Sequence, residues 1–210
     1  LKEIEIRINY LKSMGVRDIR ILDRTFNANE SRAGNMLSIF ERFPEIRFHL
    51  EIHPAFLGKK FREKLITLNT NNLHLEAGVQ SLNNIVLKEC NRKGNAFDTK
   101  NGIEFLVTIN KFETHCDLIA GLPLYTYTNL VEDFLILLTL NPTEIQLELL
   151  KVLPGTEFRS DPYKFNLKYS SAPPYEILES SWITSEELGK AGILSNIIET
   201  YYNRSIWREI

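Results

Sequence analysis

Five short stretches of alternating apolar residues, each parted from the next by helix-periodic sequence, constrain what this chain can fold into. The central one opens the stretch from Leu73 to Gly94 and sets Leu73, Leu75, Ala77 and Val79 on one face, the period of a strand with one buried side. It ends in Gly78-Val79-Gln80-Ser81, and a short helical stretch begins at Asn84. The other strands are read at Ile19, Ile21 and Leu22, at Ile46 to Ile52, at Thr114 to Ala120 and at Glu144 to Leu150. Between them, residues 2–14 put Ile4, Ile8 and Leu11 on one stripe that closes at Gly15. Further helices are expected from Glu30 to Phe43, from Lys59 to Leu68, from an N-cap at Asp98 to Ile109, and from Asn129 to Leu140. Strict alternation predicts an α/β fold of right-handed crossovers, with parallel strands curved into a partial (β/α) TIM-like barrel.

After Val152 the pattern changes, with Pro154-Gly155 and Ser171-Ala172-Pro173-Pro174 as loop signals. The reading is a barrel core over 1–155 and a helical C-terminal extension over 156–210, whose main helix, Thr184 to Asn203, opens on the capping sequence Thr184-Ser185-Glu186-Glu187. A chain of 210 residues suits one sizeable core. Its 43% hydrophobic content, 25% charged content and net charge of −2 describe a soluble, cytoplasmic domain with no nucleic-acid or membrane partner. Cys90 and Cys116 stand in no metal-binding spacing and read as buried thiols. His49, His53 and His115 read as structural, so no metal ligands are assigned, and Tyr125, Tyr127, Tyr163, Tyr169 and Tyr175 read as surface residues in loops. The chain starts on Leu1-Lys2-Glu3, already helical in pattern, and reads as an excised piece whose first strand lies upstream. The strand from Asp18 to Asp23 is then an exposed edge, open to self-association.

The strand ends carry the chemistry. They read Asp23-Arg24-Thr25, Glu51-Ile52-His53-Pro54, Gly78-Val79-Gln80-Ser81, Asp117 through Pro123, and Glu148-Leu149-Leu150. Ligand-binding residues of parallel α/β folds sit at such carboxyl ends. Glu51 and Asp117 lie within apolar strands, where an isolated carboxylate is costly unless paired or ligated, and Arg92 is a counter-charge on the same rim. Gly78 and Gly121 suggest close approach of something flat. The residues alone leave three readings open. Gln80 and Ser81 can simply cap the next helix on a non-catalytic scaffold. Glu51 and Asp117 can serve as acid and base of a cluster-independent (β/α)-barrel lyase or hydrolase. The third is a cofactor mouth.

Glu51-x-x-Pro54, Gly78-Val79-Gln80-Ser81, Asn91-Arg92-Lys93 and Asp117-Leu118-Ile119-Ala120-Gly121-Leu122-Pro123, in this order, resemble the radical S-adenosylmethionine (SAM) enzymes. The nearest branch holds oxygen-independent coproporphyrinogen oxidases, methylthiotransferases and cobalamin-binding enzymes of the anaerobic Mg-protoporphyrin monomethyl ester oxidative cyclase type. The tail, with Ala172-Pro173-Pro174-Tyr175-Glu176 and Tyr201-Tyr202-Asn203, is similar to that of cobalamin-linked members. The resemblance implies an oxidoreductase or transferase that makes a 5′-deoxyadenosyl radical from SAM, acts on a small-molecule substrate and uses a [4Fe–4S] cluster and, in the cobalamin branch, cobalamin. It implies that Glu51 and Arg92 meet the methionyl end of SAM and that Gln80, beside Ser81, and Asp117 meet its ribose. Gly121 and Pro123 would shape the adenine pocket, and Leu149 would offer it backbone hydrogen bonds. Thr25 stands in the strand end that binds the methionyl amine, where Asp23 and Arg24 replace the family's glycines. Leu124-Tyr125 likewise stand where the family commonly has Gly and Glu. No catalytic residue is assigned. The family's Cys-x-x-x-Cys-x-x-Cys loop is missing from this sequence, is expected upstream of Leu1, and leaves the chain alone without cluster or activity.

Overall fold

The computed structural model describes residues 1–204, so the last positions of the extension, 205–210, lie outside the described residues. In chain order the elements are α1 (Lys2–Ser13), β1 (Asp18–Ile21), α2 (Glu30–Phe40), β2 (Arg47–Ile52), α3 (Lys59–Thr67), β3 (Leu73–Gln80), α4 (Asn84–Glu89), α5 (Ala96–Ile109), β4 (Glu113–Ala120), α6 (Tyr127–Leu140) and β5 (Glu144–Leu149). Then come α7 (Glu157–Ser160), β6 (Lys168–Tyr169), β7 (Ile177–Glu179) and α8 (Ser185–Ile197), which runs into a π turn at Ile198–Tyr202. The five main strands lie in sequential order, β1-β2-β3-β4-β5, in a parallel sheet, the α/β arrangement of a partial barrel. Ile19 faces Phe48 across β1 and β2, and Leu50 faces Leu75 across β2 and β3. No helix among the described residues is long and apolar enough to cross a membrane.

The chain divides into two compact units. The first comprises residues 1–78 and 97–115. Its α1 ends in a Schellman motif, with Gly15 in the left-handed region and the Val16 and Gly15 amides bonding Leu11 and Lys12 carbonyls at 3.1 and 2.9 Å. Phe40 stacks on Phe48 at 4.2 Å and on Phe26 at 6.1 Å, and Leu37, Leu50, Leu65 and Leu75 are fully buried around them. Each such side chain contributes about 1.5–3 kcal/mol by leaving water. The strand alternation accounts for this core: Phe48, Leu50 and Ile52 of β2 are buried, while Arg47, His49 and Glu51 point the other way.

The second unit comprises residues 79–96 and 116–210. It holds the carboxyl ends of β3 and β4, with α4, α6, β5 and all that follows. The Leu150 N–H donates to Ala120 at 2.9 Å, and the Ile177 N–H donates to Leu150 at 2.9 Å. The free edge of β5 is sealed by side chains of the C-terminal segment. Asn203 accepts from the Ile145 N–H and donates to the Ile145 carbonyl, both at 3.0 Å, and the Ser195 hydroxyl donates to the Leu147 carbonyl at 2.8 Å. One carboxamide thus supplies what a sixth strand would supply.

Several boundaries differ from expectation for identifiable reasons. The helix expected to start at Asp98 starts at Ala96, whose N–H donates to the Asn84 side chain at 2.8 Å, a cap contributed from twelve residues upstream. Asp98 then sits in the first turn, favoured by the helix dipole. The helix expected from Asn129 begins two residues earlier, because Thr126 accepts the Asn129 N–H at 3.2 Å and acts as the N-cap. Thr184 and Glu187 form the expected capping box, but α8 gives way to a π turn after Ile197. The extension is also less purely helical than its pattern, since β6 and β7 pair as an antiparallel hairpin.

Asn203→Ala leaves both backbone groups of Ile145 without their partner and should lower unfolding stability by about 1–3 kcal/mol. A denaturant midpoint unchanged from wild type would show that the β5 edge does not depend on this residue.

Candidate functional site

The second unit places most of the candidate residues. Gln80 closes β3 with φ of 68°, in the left-handed region that costs a non-glycine residue about 1–2 kcal/mol. Its amide oxygen is buried and has no hydrogen-bond partner among the described residues. The strained backbone and the unmet acceptor together make Gln80 a candidate for ligand contact. The next residue is placed differently. Ser81 is fully buried, and its hydroxyl donates to Asp133 of α6 at 2.8 Å. The same Asp133 oxygen accepts the Leu82 N–H at 2.7 Å and the Tyr125 hydroxyl at 2.6 Å. Ser81 therefore fixes the turn after β3 and has its donor committed.

Arg92 owes its position to the end of α4. Asn91, with φ of 51°, takes the left-handed position there, and the Arg92 N–H returns to the Leu87 carbonyl at 2.9 Å. This turn holds a half-buried guanidinium whose pKa is lowered by burial, against the opposing charge of Asp117. Arg92 and Asp117 are thus electrostatic partners. Gly121, Leu122 and Pro123 are all buried. Gly121 has φ of 93°, and a Cβ there would come within 2.7 Å of Ile177, so what approaches this glycine closely is the β7 side chain. Leu149 ends β5, half-buried.

In the first unit, Thr25 follows Asp23, whose carboxylate pairs with Arg32, and its own hydroxyl donates to the Arg24 carbonyl at 2.7 Å. Asn27 is buried and clamps the far turn: its amide donates to the His53 and Phe56 carbonyls at 2.9 and 3.1 Å and accepts the His53 N–H at 2.8 Å. Glu51 lies 3.9 Å from Arg20, in register with Glu76. Glu76 takes Arg20 and His49 on one oxygen at 2.5 Å each. His49 stacks on His74 at 4.3 Å, and His74 lies 3.0 Å from Glu113, which also pairs with Arg47. Burial opposes ionisation of Glu113, but hydrogen bonds from His74 and Arg47 hold its carboxyl below the ordinary range.

Asp133, Tyr125 and Asn27 were not among the expected site residues. Tyr125 is wholly buried, not a surface tyrosine, and burial pushes its phenol far above the ordinary value. The signal available in the sequence was an aspartate on the apolar stripe of a helix, six residues into α6.

Two thiols are present, and they do not fit a [4Fe–4S] cluster. Cys116 is wholly buried in β4, and burial pushes the Cys90 thiol up to about 11, with Glu89 adding and Arg92 opposing. Cluster ligation needs several exposed, readily ionised thiols in close array.

A family described as "Protein of unknown function (DUF4080)" matches residues 163–210. Curated proteins offer no match to the sequence. Solved structures do. The radical S-adenosylmethionine methyltransferase TsrM from Kitasatospora setae, with tryptophan substrate and a SAM analog bound, is similar over 83% of this chain and 35% of its own, at 16% identity and a TM-score of 0.64. Coproporphyrinogen III oxidase (HemN) from Escherichia coli, a radical SAM enzyme, is similar over 82% of this chain and 38% of its own, at 17% identity and a TM-score of 0.58. SuiB of Streptococcus suis bound to SAM is similar over 93% and 40%, at 12% identity and a TM-score of 0.63. The chain therefore spans well under half the length of each. It has the fold of the radical SAM enzymes.

Burial raises the Asp133 carboxyl above its ordinary 3.8, against hydrogen bonds from Tyr125, the Leu82 N–H and Ser81 that lower it. A carboxyl raised in the folded state holds its proton longer there than in the unfolded chain. Its contribution to stability is full below 3.8 and is lost as pH rises through the native value. Denaturation of wild type and Asp133→Asn across this window should show the advantage of wild type shrinking as pH rises. An advantage that grows with pH would mean that hydrogen bonding, not burial, dominates the carboxyl.

Proposed function

We propose that this chain is the SAM-binding core of a radical SAM oxidoreductase or transferase. The observation that carries the reading is Gln80: a strained residue at the end of β3 whose buried amide oxygen has no hydrogen-bond partner among the described residues. Arg92 and Asp117 belong to the same unit, one offering a guanidinium to a carboxylate, the other an acceptor to ribose hydroxyls. Gln80 supports the ribose beside them. The Leu149 backbone is assigned to adenine, and the buried Gly121 to Pro123 turn sets the wall behind it. Ser81 orients the turn through Asp133 and needs no ligand contact of its own. Glu51 and Thr25, of the first unit, are assigned to the methionyl end by resemblance alone.

SAM, when bound, supplies the sulfonium-linked 5′-deoxyadenosyl group that such enzymes activate. The part of this chain's residues is to bind and orient that group and to keep water from it. The cluster is assigned to no residue here, and neither is cobalamin. Cobalamin use draws support from TsrM, solved with cobalamin and a [4Fe–4S] cluster, and an oxidative cyclase reaction rests on sequence resemblance alone. The substrate is read as a small molecule. The lyase or hydrolase alternative is not favoured, because the neighbours by fold are SAM enzymes and Glu51 and Asp117 each have a guanidinium nearby.

SAM titrated calorimetrically into the protein should bind, and Gln80→Gly should weaken it about tenfold by removing one hydrogen-bonding amide. The same change should raise stability by about 1 kcal/mol, since glycine adopts the left-handed backbone freely. Unchanged SAM affinity with altered stability would overturn the assignment. We also propose that β1, at one end of the sheet, pairs with a second copy. Sedimentation should show association that grows with concentration, and a monomer throughout the micromolar range would refute it.

A further inference from the structure

The second unit contains a cavity of about 340 Å³ that the reading above does not use, although Leu149 lies on its rim. Gly192, Ser195 and Asn196 of α8 line it together with Glu148, Lys151 and Glu176. This volume is at the lower end of the range for small-molecule sites.

Most of its polar groups are already matched. Glu148 accepts the Gln146 amide at 2.8 Å on one oxygen and the Lys151 ammonium at 2.7 Å on the other. The Ser195 hydroxyl donates a hydrogen bond to the Leu147 carbonyl. Glu176 and the exposed Asn196 are the exceptions: Glu176 is half-buried just before the hairpin's second strand, and its carboxylate, the only charged group of the two, has no hydrogen bond or ion pair among the described residues. With Glu148 and Lys151 cancelling, the cavity keeps one net negative charge.

Gly192 is the second observation. A glycine inside a helix costs about 0.5–1 kcal/mol against alanine. Here a Cβ would meet no heavy atom within 4 Å, as at Gly34 and Gly189, so neither close packing nor a left-handed backbone calls for glycine; of the three, Gly192 is the one that lines the cavity. Gly102 of α5 differs, since a Cβ there would strike the Pro54 carbonyl at 2.0 Å. The effect of Gly192 is to keep the cavity floor at the level of the helix backbone.

We propose that this cavity binds a small organic cation, an amine or guanidinium, with its charge on Glu176 and its body flat against α8 at Gly192. A charge-assisted hydrogen bond to an otherwise unmatched carboxylate fixes the charged end. A bare helix surface admits a planar or unbranched remainder. The proposal does not depend on the SAM reading.

The test titrates phenethylammonium and hydrocinnamate, of like size and opposite charge, into the protein and follows binding by NMR. The ammonium should bind saturably and the carboxylate should not. Glu176→Gln should weaken the ammonium about tenfold. Gly192→Ala should raise the thermal midpoint while weakening the ammonium to a similar degree, which separates loss of the cavity from loss of the fold. Added SAM should leave ammonium binding intact. Absence of saturable binding, equal binding of the carboxylate, or insensitivity to Gly192→Ala would overturn the proposal. Displacement by SAM would also overturn it, by making the cavity part of the SAM site.

Discussion

A sheet that stops must satisfy the backbone groups of its last strand, and here that requirement organises the C-terminal part of the chain. Asn203 takes both polar groups of Ile145, and Ser195 takes the Leu147 carbonyl, so a helix and its π turn stand where another strand would pair. Water can do the same for an exposed edge, but Ile145 is fully buried and its groups need fixed partners. The π turn at Ile198–Tyr202 is a change of pitch just before Asn203, and it coincides with the carboxamide lying opposite Ile145. The hairpin is bound by the same logic: Ile177 and Val152 amides bond to Leu150 and Tyr175 carbonyls, and the Ile177 side chain fills the space over Gly121. An edge-sealing device thereby also fixes the turn that follows β4.

Asp133 does for the end of β3 what Asn203 does for β5. One carboxylate oxygen gathers a serine hydroxyl, a backbone N–H and a tyrosine hydroxyl. Burial makes that carboxylate costly, and three donors offset part of the cost. The network ties α6 to residues 81 and 82, directly after Gln80, and it can hold that residue in a conformation it would not choose alone. Strain at one residue is stable only when its neighbours are over-determined. Here the over-determination can be named.

The fold was legible in the sequence because its signals are periodic and local. Alternation in β3 and β2, the Gly15 terminus of α1, and the Thr184–Glu187 box each depend on residues within a few positions of one another. What was not legible depends on distant partners. The start of α5 is set by Asn84, the role of Ser81 by Asp133, and the burial of Tyr125 by the same aspartate. Gly121 was readable as a place of close approach, but not that Ile177 would be what approaches. The β6–β7 hairpin was missed because two- and three-residue strands are too short to show a period. For the site, strand-end position and the family resemblance supplied Gln80, Arg92 and Asp117 as candidates, and only the folded structure could separate Gln80, with an unmet oxygen, from Ser81, with a committed hydroxyl.

The same separation applies to residues that break local rules. Asn91 and Asn141 have left-handed backbones, but each follows a helix whose last carbonyls its turn satisfies, so the cost is offset where it arises. Gly102 and Gly121 lack side chains, and Pro54 and Ile177 occupy the space. These departures are architecture. Gln80 and Gly192 are different: the first has a buried amide oxygen with no hydrogen-bond partner among the described residues, and the second, like Gly34 and Gly189, borders open space. A folded chain gains no stability from either. At Gln80 and Gly192 the proposed ligands would supply the compensation, since a molecule that binds only the folded chain stabilises it.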